Sequence, residues 1–235
     1  MKTVLIGFGD SWTFGSELDI PHEQSWVARL AKKLDCEYLN LGTPASSRGH
    51  LVVQLFDWIK ISNQYKDYKK IFMVGLTGQS RYLSYSNQLN EFVNITPNLV
   101  YRSKQPTPPP GRPPTGEPPD TVPDLEAVAR VTYQHIDCAP FRNFCTAQTI
   151  FTFQNYCARH NIVSRYFSYF DAIELGNYEH VIDMQTLWPE SITHSLTGQD
   201  YELPDTMTHP YFQGKLFHPN IDGHQRIAEI LYATL

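Results

Sequence analysis

Cysteine is scarce in this 235-residue chain, and its four residues (Cys36, Cys138, Cys145 and Cys157) form neither a CxxC pair nor a metal-ligand spacing. That excludes a zinc cluster and a disulfide framework and leaves four reduced, mostly buried thiols as the expectation. Charge is also sparse: 19 Lys and Arg stand against 24 Asp and Glu, a net −5, with no block of like charges. A chain of this balance has no electrostatic footprint for nucleic acid. No apolar run approaches the roughly 18 residues of a membrane span. The N-terminal apolar run Val4–Ile6 gives way to glycine and acidic residues before any long h-region develops, so it reads as a first strand and not as a leader. The expectation is a cytoplasmic protein with no membrane span. No Gly-Lys-Ser phosphate loop is present, which counts against a flavodoxin-like nucleotide binder, and neither a cofactor nor a metal is expected.

The chain does have enough apolar residues, 41%, to build one sizeable core. Val4 to Phe8 is a short apolar run of the kind buried on both faces of a parallel sheet. Trp26, Val27, Leu30, Ala31 and Leu34 fall on one stripe of a helix over Ser25–Leu34, opposite Arg29, Lys32 and Lys33. A strand over Glu37–Leu41 follows, then a helix over Leu51–Ile61 whose apolar positions are Leu51, Val52, Leu55, Phe56 and Ile59, then a strand over Lys70–Gly75. Strands alternating with amphipathic helices imply right-handed βαβ crossovers.

The rhythm breaks in the middle. Thr107 to Pro123 is dense in proline and includes Gly111 and Gly116, which rules out a helix or a central strand there. Because α/β material resumes afterwards, residues about 84 to 140 read as an insertion on one domain spanning 1–235, either an exposed loop or a lid or wall over a site. Ala147, Ile150, Phe151, Cys157 and Ala158 space a helix over Phe144–Arg159, and Ile162–Phe170 reads as a strand. Residues 183 to 213 read as irregular, and a helix from Gly223 to about Ala233 closes the chain on Ile227, Ala228, Ile230 and Leu231.

Two segments carry the candidate chemistry. Gly7-Phe8-Gly9-Asp10-Ser11-Trp12-Thr13-Phe14-Gly15 holds a serine between glycines at the C-terminal end of the first strand, the edge at which α/β sheets bind ligands. Phe217-His218-Pro219-Asn220-Ile221-Asp222-Gly223-His224 puts a histidine just before the last helix. Serine and histidine each have ordinary structural uses, as turn, cap and surface residues. Together they make a nucleophile and the imidazole needed to take its proton.

This pairing of Gly9-Asp10-Ser11 with His218-Pro219-Asn220 and Gly223-His224 resembles the SGNH, or GDSL, hydrolases. The resemblance runs along the chain in four blocks, near 7–15, 40–48, 75–81 and 215–228. It implies a flavodoxin-like three-layer α/β/α fold with a central parallel sheet, and an esterase, acylhydrolase or carbohydrate deacetylase acting on a small-molecule or carbohydrate ester. It implies Ser11 as nucleophile and, through its N–H, first oxyanion donor, with His218 as general base. In Asn40-Leu41-Gly42-Thr43-Pro44-Ala45-Ser46-Ser47, Ala45 takes the slot of the second backbone donor, usually a glycine. Asp10, Trp12, Ser46 and Arg81 are the residues expected to line the site.

Two positions depart from the family pattern. Gly75-Leu76-Thr77-Gly78 stands where the family has Gly-x-Asn-Asp, so Thr77 replaces the donor asparagine or only caps its loop. Phage-encoded members with threonine there are similar, implying a phage-type subgroup and admitting a viral origin. Lys215 occupies the position of the triad acid, three residues before His218, and a lysine cannot accept the imidazole N–H. Either a Ser–His dyad operates, or another group orients the ring, with Asp205 and Asp222 as the nearest carboxylates. The alternative to an enzyme is a catalytically impaired member of the same fold that binds carbohydrate or protein.

Overall fold

The computed structural model describes residues 1–86, 91–96, 123–198, 209–213 and 218–235. The proline-dense stretch up to residue 122, Asp205 and Lys215 lie outside the described residues.

Five parallel strands form the central sheet: β1 (Thr3–Phe8), β2 (Glu37–Asn40), β3 (Lys69–Leu76), β6 (Val163–Ser168) and β7 (Leu187–Ser191), in the order β2-β1-β3-β6-β7. This is the doubly wound, flavodoxin-like order, with its switch point where β2 and β3 flank β1 on opposite sides. Strand periodicity sends alternate side chains to opposite faces. Val4, Ile6, Phe8, Phe72, Val74 and Leu76 face one core, closed by the helices Arg48–Ile61 and Ala139–Arg159. Leu5, Ile71, Met73 and Phe167 face the other, closed by Trp26–Lys33 and Ile221–Tyr232. Gly7 lets the helix over Trp26–Lys33 approach closely, since a Cβ there would sit 2.5 Å from Val27 Cγ2.

In chain order the helices are α1 (Ser11–Phe14), α2 (Pro21–Gln24), α3 (Trp26–Lys33), α4 (Arg48–Ile61), α5 (Pro123–Val131), α6 (Ala139–Arg159), α7 (Ile192–Thr197) and α8 (Ile221–Tyr232). The expected elements recur with bounds shifted by a few residues. The buried stripe of α3 is as read, but that of α4 is not: Leu51, Gln54, Leu55 and Trp58 are buried with Arg48, whereas Phe56 and Ile59 are exposed. In α6, Thr146, Thr149 and Phe153 are buried while Phe151 and Ala158 face out. Polar residues hold inward positions in both helices, so hydrophobicity alone mis-phases them.

Of residues 183 to 213, the described ones (183–198 and 209–213) are less irregular than expected, for β7 and α7 lie there. Pro189 interrupts β7, whose pairing with β6 slips between Tyr166↔Leu187 and Ser168↔Ser191, and α7 is too short to show a period. The insertion holds an antiparallel pair, β4 (Tyr82–Ser86) with β5 (Glu91–Ile95), followed by α5 and a π turn over Thr132–Ile136. These described parts are docked on the body of the fold: Tyr133 Oη donates to Ser80 O at 2.5 Å, and Tyr82 stacks on Phe141. Of the cysteines, only Cys157 is buried; Cys36 and Cys145 are half-buried and Cys138 is exposed, so the thiols are less buried than expected. Among the described residues no helix is long and apolar enough to cross a membrane.

Candidate active site

The site lies at the switch point, on the loops that leave β1, β2 and β3. After β1, Gly9 takes a φ of 156°, and a Cβ there would collide with Thr13 Oγ1 and lie 3.2 Å from Gly75 O. A glycine is therefore required to aim the chain into α1. Asp10 caps that helix, its Oδ1 accepting from Trp12 N at 3.0 Å, while Oδ2 pairs with Arg81 Nη1 at 3.1 Å. Burial pushes the Asp10 carboxyl above the usual carboxylate range, and the Arg81 guanidinium opposes that push. Ser11 opens α1, nearly buried, and its Oγ has no hydrogen-bond partner among the described residues.

His218 begins the two-residue strand β9 (His218–Pro219), paired with β8 (Phe212–Gln213), and α1 packs against β9. The first-strand serine and the pre-terminal histidine are thus brought to one edge of the sheet from opposite ends of the chain. The His218 ring is buried, and its Nδ1 lies 2.9 Å from Glu17 Oε2. The Nε2 atom has no partner among the described residues. With Nδ1–H donated to the carboxylate, Nε2 carries the lone pair that a serine proton requires.

Glu17 was not among the carboxylates expected at this ring. It reaches His218 because α1 ends in two left-handed residues, Gly15 at φ 89° and Glu17 at φ 67°, which fold the chain back beside the helix. Asp222, by contrast, is exposed in the first turn of α8, where a carboxylate favours the helix N-terminus. The ring nitrogen it was expected to engage is held by Glu17 instead. Asp205 lies outside the described residues.

Three donors stand on adjacent loops. Ser11 N–H is at the first position of α1, where no intrahelical acceptor exists. Ala45 is held at φ 61°, a conformation that favours glycine and strains other residues by about 1–2 kcal/mol, and its N–H bonds to nothing among the described residues. Thr77 is fully buried directly after β3, and its Oγ1 likewise has no partner among the described residues. A buried hydroxyl without an acceptor costs about 1–3 kcal/mol.

The loops are locked together by α4. Gln54 clamps Gly9 on both sides, accepting from Gly9 N at 3.0 Å and donating to Gly9 O at 2.8 Å, and also donates to Ser46 Oγ at 3.1 Å. Thr43 N donates to Gly9 O at 3.0 Å. The N-terminus of α4 is held from the insertion, where Asn94 Oδ1 accepts from Ser47 N at 2.9 Å. Of the four expected lining residues, Arg81 is partly exposed and paired with Asp10. Trp12 packs in the core against Tyr169, Phe170 and Phe212, and Ser46 is buried behind the loop, donating to Thr43 O. His224 is structural: its Nδ1 accepts from Trp26 N at 3.0 Å, and burial pushes its pKa down to about 3.

No protein-family model and no curated protein sequence matches the chain. Several solved structures do. A putative lipolytic protein of the G-D-S-L family from Desulfitobacterium hafniense DCB-2 matches over the whole of both chains at 14% identity and a TM-score of 0.39. The psychrotrophic esterase EstA from Pseudoalteromonas sp., in a structure inhibited by monoethylphosphonate, is 13% identical over 99% of this chain and 96% of its own, with a TM-score of 0.48. TesA is 14% identical over 99% and 98%, at a TM-score of 0.49. The chain is thus similar, along nearly its whole length, to a putative lipolytic protein of the G-D-S-L family, to an esterase and to TesA.

Proposed function

We propose that this chain is a serine hydrolase of the SGNH kind that cleaves a carboxylic ester, of a small molecule or an acylated carbohydrate, through an acyl-enzyme on Ser11. The observation that carries this reading is the His218–Glu17 pair, at the same sheet edge as Ser11. Ser11 Oγ attacks the ester carbonyl while its proton passes to His218 Nε2, and Glu17 stabilises the imidazolium that forms. The carbonyl oxygen, now an oxyanion, is met by Ser11 N–H, Ala45 N–H and Thr77 Oγ1. Collapse expels the alcohol, which takes the proton from His218. Water repeats the sequence in reverse order, releasing the acid and restoring Ser11.

The reading as an impaired binding module drew its support from the lost acid at Lys215 and from Thr77 in place of the donor asparagine. Glu17 supplies a carboxylate to the ring from the other end of the chain, which answers the first of these, and the second turns on whether Thr77 Oγ1 serves as a donor. The test is labelling with a fluorophosphonate together with turnover of p-nitrophenyl acetate. Wild type is expected to form one adduct on Ser11 and to turn over, and Ser11→Ala and His218→Ala to do neither. Intact, unlabelled wild-type protein, or activity persisting in either variant, would sink the assignment.

A further inference from the structure

Arg48 is the first residue of α4, only 2% exposed, and none of the steps above uses it. Its Nε donates to Thr77 O at 3.3 Å, its Nη1 to Thr146 Oγ1 on α6, and Thr149 Oγ1 on the same helix donates to Arg48 O at 3.2 Å. The guanidinium is thereby fixed at both ends: α6 holds Nη1, and Nε holds the main chain of Thr77. Its Nη2 is buried with no partner among the described residues. Burial lowers the Arg48 pKa to about 10, with the Asp171 carboxylate opposing, so the group is charged at neutral pH.

A buried arginine is an expensive way to fill space. Desolvating the cation costs several kcal/mol, and an apolar side chain of similar volume packs as well or better. Thr77 has its own difficulty. A hydroxyl on a short, branched side chain reaches less far than the amide of an asparagine, so it serves as a donor only if its backbone is held in place.

We propose that Arg48 is a positioning residue for ester cleavage, fixing the Thr77 main chain so that Thr77 Oγ1 meets the oxyanion that forms on Ser11. The inference rests on the hydrolase reading given above. Because Arg48 acts through Thr77, its loss weakens the transition state and leaves ground-state ester binding almost unchanged. A misplacement of about 1 Å at a catalytic group costs on the order of 10²-fold in rate.

The experiment is a double-mutant cycle with Arg48→Met and Thr77→Val, the second chosen because it removes the hydroxyl and keeps the shape. Turnover of p-nitrophenyl acetate is the first readout and the rate of fluorophosphonate attachment to Ser11 the second, since phosphonylation also builds charge on an oxygen in the hole. Thr77→Val is expected to lower kcat by about 10²–10³-fold, the usual loss for one oxyanion donor. Arg48→Met is expected to lower kcat by tens of fold, with KM within about threefold. In the Thr77→Val background, the same Arg48 change is expected to cost less than about threefold, because sites that act as one unit are not additive. If Arg48→Met fails to fold, Arg48→Lys replaces it, keeping the charge and losing the fork.

Independent, multiplying losses would overturn the positioning role while leaving the hydrolase intact, as would a rise in KM with kcat unchanged. Wild-type protein that neither turns over nor labels would overturn both readings at once.

Discussion

Glu17→Gln is the substitution that tests the catalytic reading most directly. The glutamine keeps the length of the side chain and an oxygen able to accept from His218 Nδ1–H, but removes the charge. Two unit charges about 4 Å apart interact by about 4 kcal/mol at an effective dielectric near 20. The Glu17 side chain is 27% exposed, so solvent screens part of that, and the 8% exposure of the His218 side chain keeps the rest. A loss of about 2–4 kcal/mol in the transition state corresponds to a fall of roughly 30- to 1000-fold in kcat. In the template serine triad the corresponding change costs about 10⁴, there with a wrong tautomer as well as a lost charge. The assay is steady-state hydrolysis of p-nitrophenyl acetate, with acylation followed separately by rapid mixing to show that the chemical step slows. Glu17→Gln within threefold of wild type, alongside an inactive His218→Ala, would refute the claim that Glu17 serves the imidazole.

Two further outcomes follow from groups away from the chemistry. Gln54→Leu leaves the buried N–H of Gly9 without a partner, while Gly9 O keeps Thr43 N; at about 1–3 kcal/mol for one unsatisfied group, chemical denaturation is expected to register a loss of about 2 kcal/mol, with a fall in kcat as the Ser11 and Ala45 loops separate. His224 has a folded pKa of about 3, below its ordinary value, so the unfolded chain binds the proton first and stability is lost as pH falls from about 7 toward 3. Linkage at about 1.4 kcal/mol per pH unit makes the pH 7.5 to 5 loss about 2 kcal/mol greater in wild type than in His224→Asn, whose amide oxygen takes the place of Nδ1 as acceptor for Trp26 N; equal losses in urea titrations would contradict this.

Strands β1 and β3 and the helices α3 and α8 were legible because their residues face a single environment along each stripe. Trp26, Val27, Leu30 and Ala31 are all buried, as are Ile227, Ala228 and Leu231. The β4–β5 pair left a weaker trace, since Leu83-Ser84-Tyr85-Ser86 and Val93-Asn94-Ile95 alternate only briefly beside a long proline-dense run. Ser11 and His218 could be read because each sits in a local pattern of glycine, proline and asparagine that shapes its own backbone. Glu17 has no such pattern. Its role depends on a partner 201 residues away, and neither the distance nor the left-handed turn that closes it marks the sequence nearby. The carboxylate beside His218 is set by the fold and not by nearness along the chain.

The misread face of α4 follows from the same cause. A helix that only covers a sheet turns its apolar side inward, and Phe56 and Ile59 would then be buried. Here the inward positions Arg48 and Gln54 are polar because the ends of β1 and β3 leave buried main-chain groups pointing at the helix: Gly9 N and Thr77 O. Each must be satisfied by a side chain or cost free energy comparable to a lost hydrogen bond. Short apolar residues at 48 and 54 would improve the hydrophobic pattern and leave these groups unpaired. The register of α4 is therefore set by the loops it serves, with Leu51, Leu55 and Trp58 packing between those polar posts and the two bulky apolar residues turned to solvent.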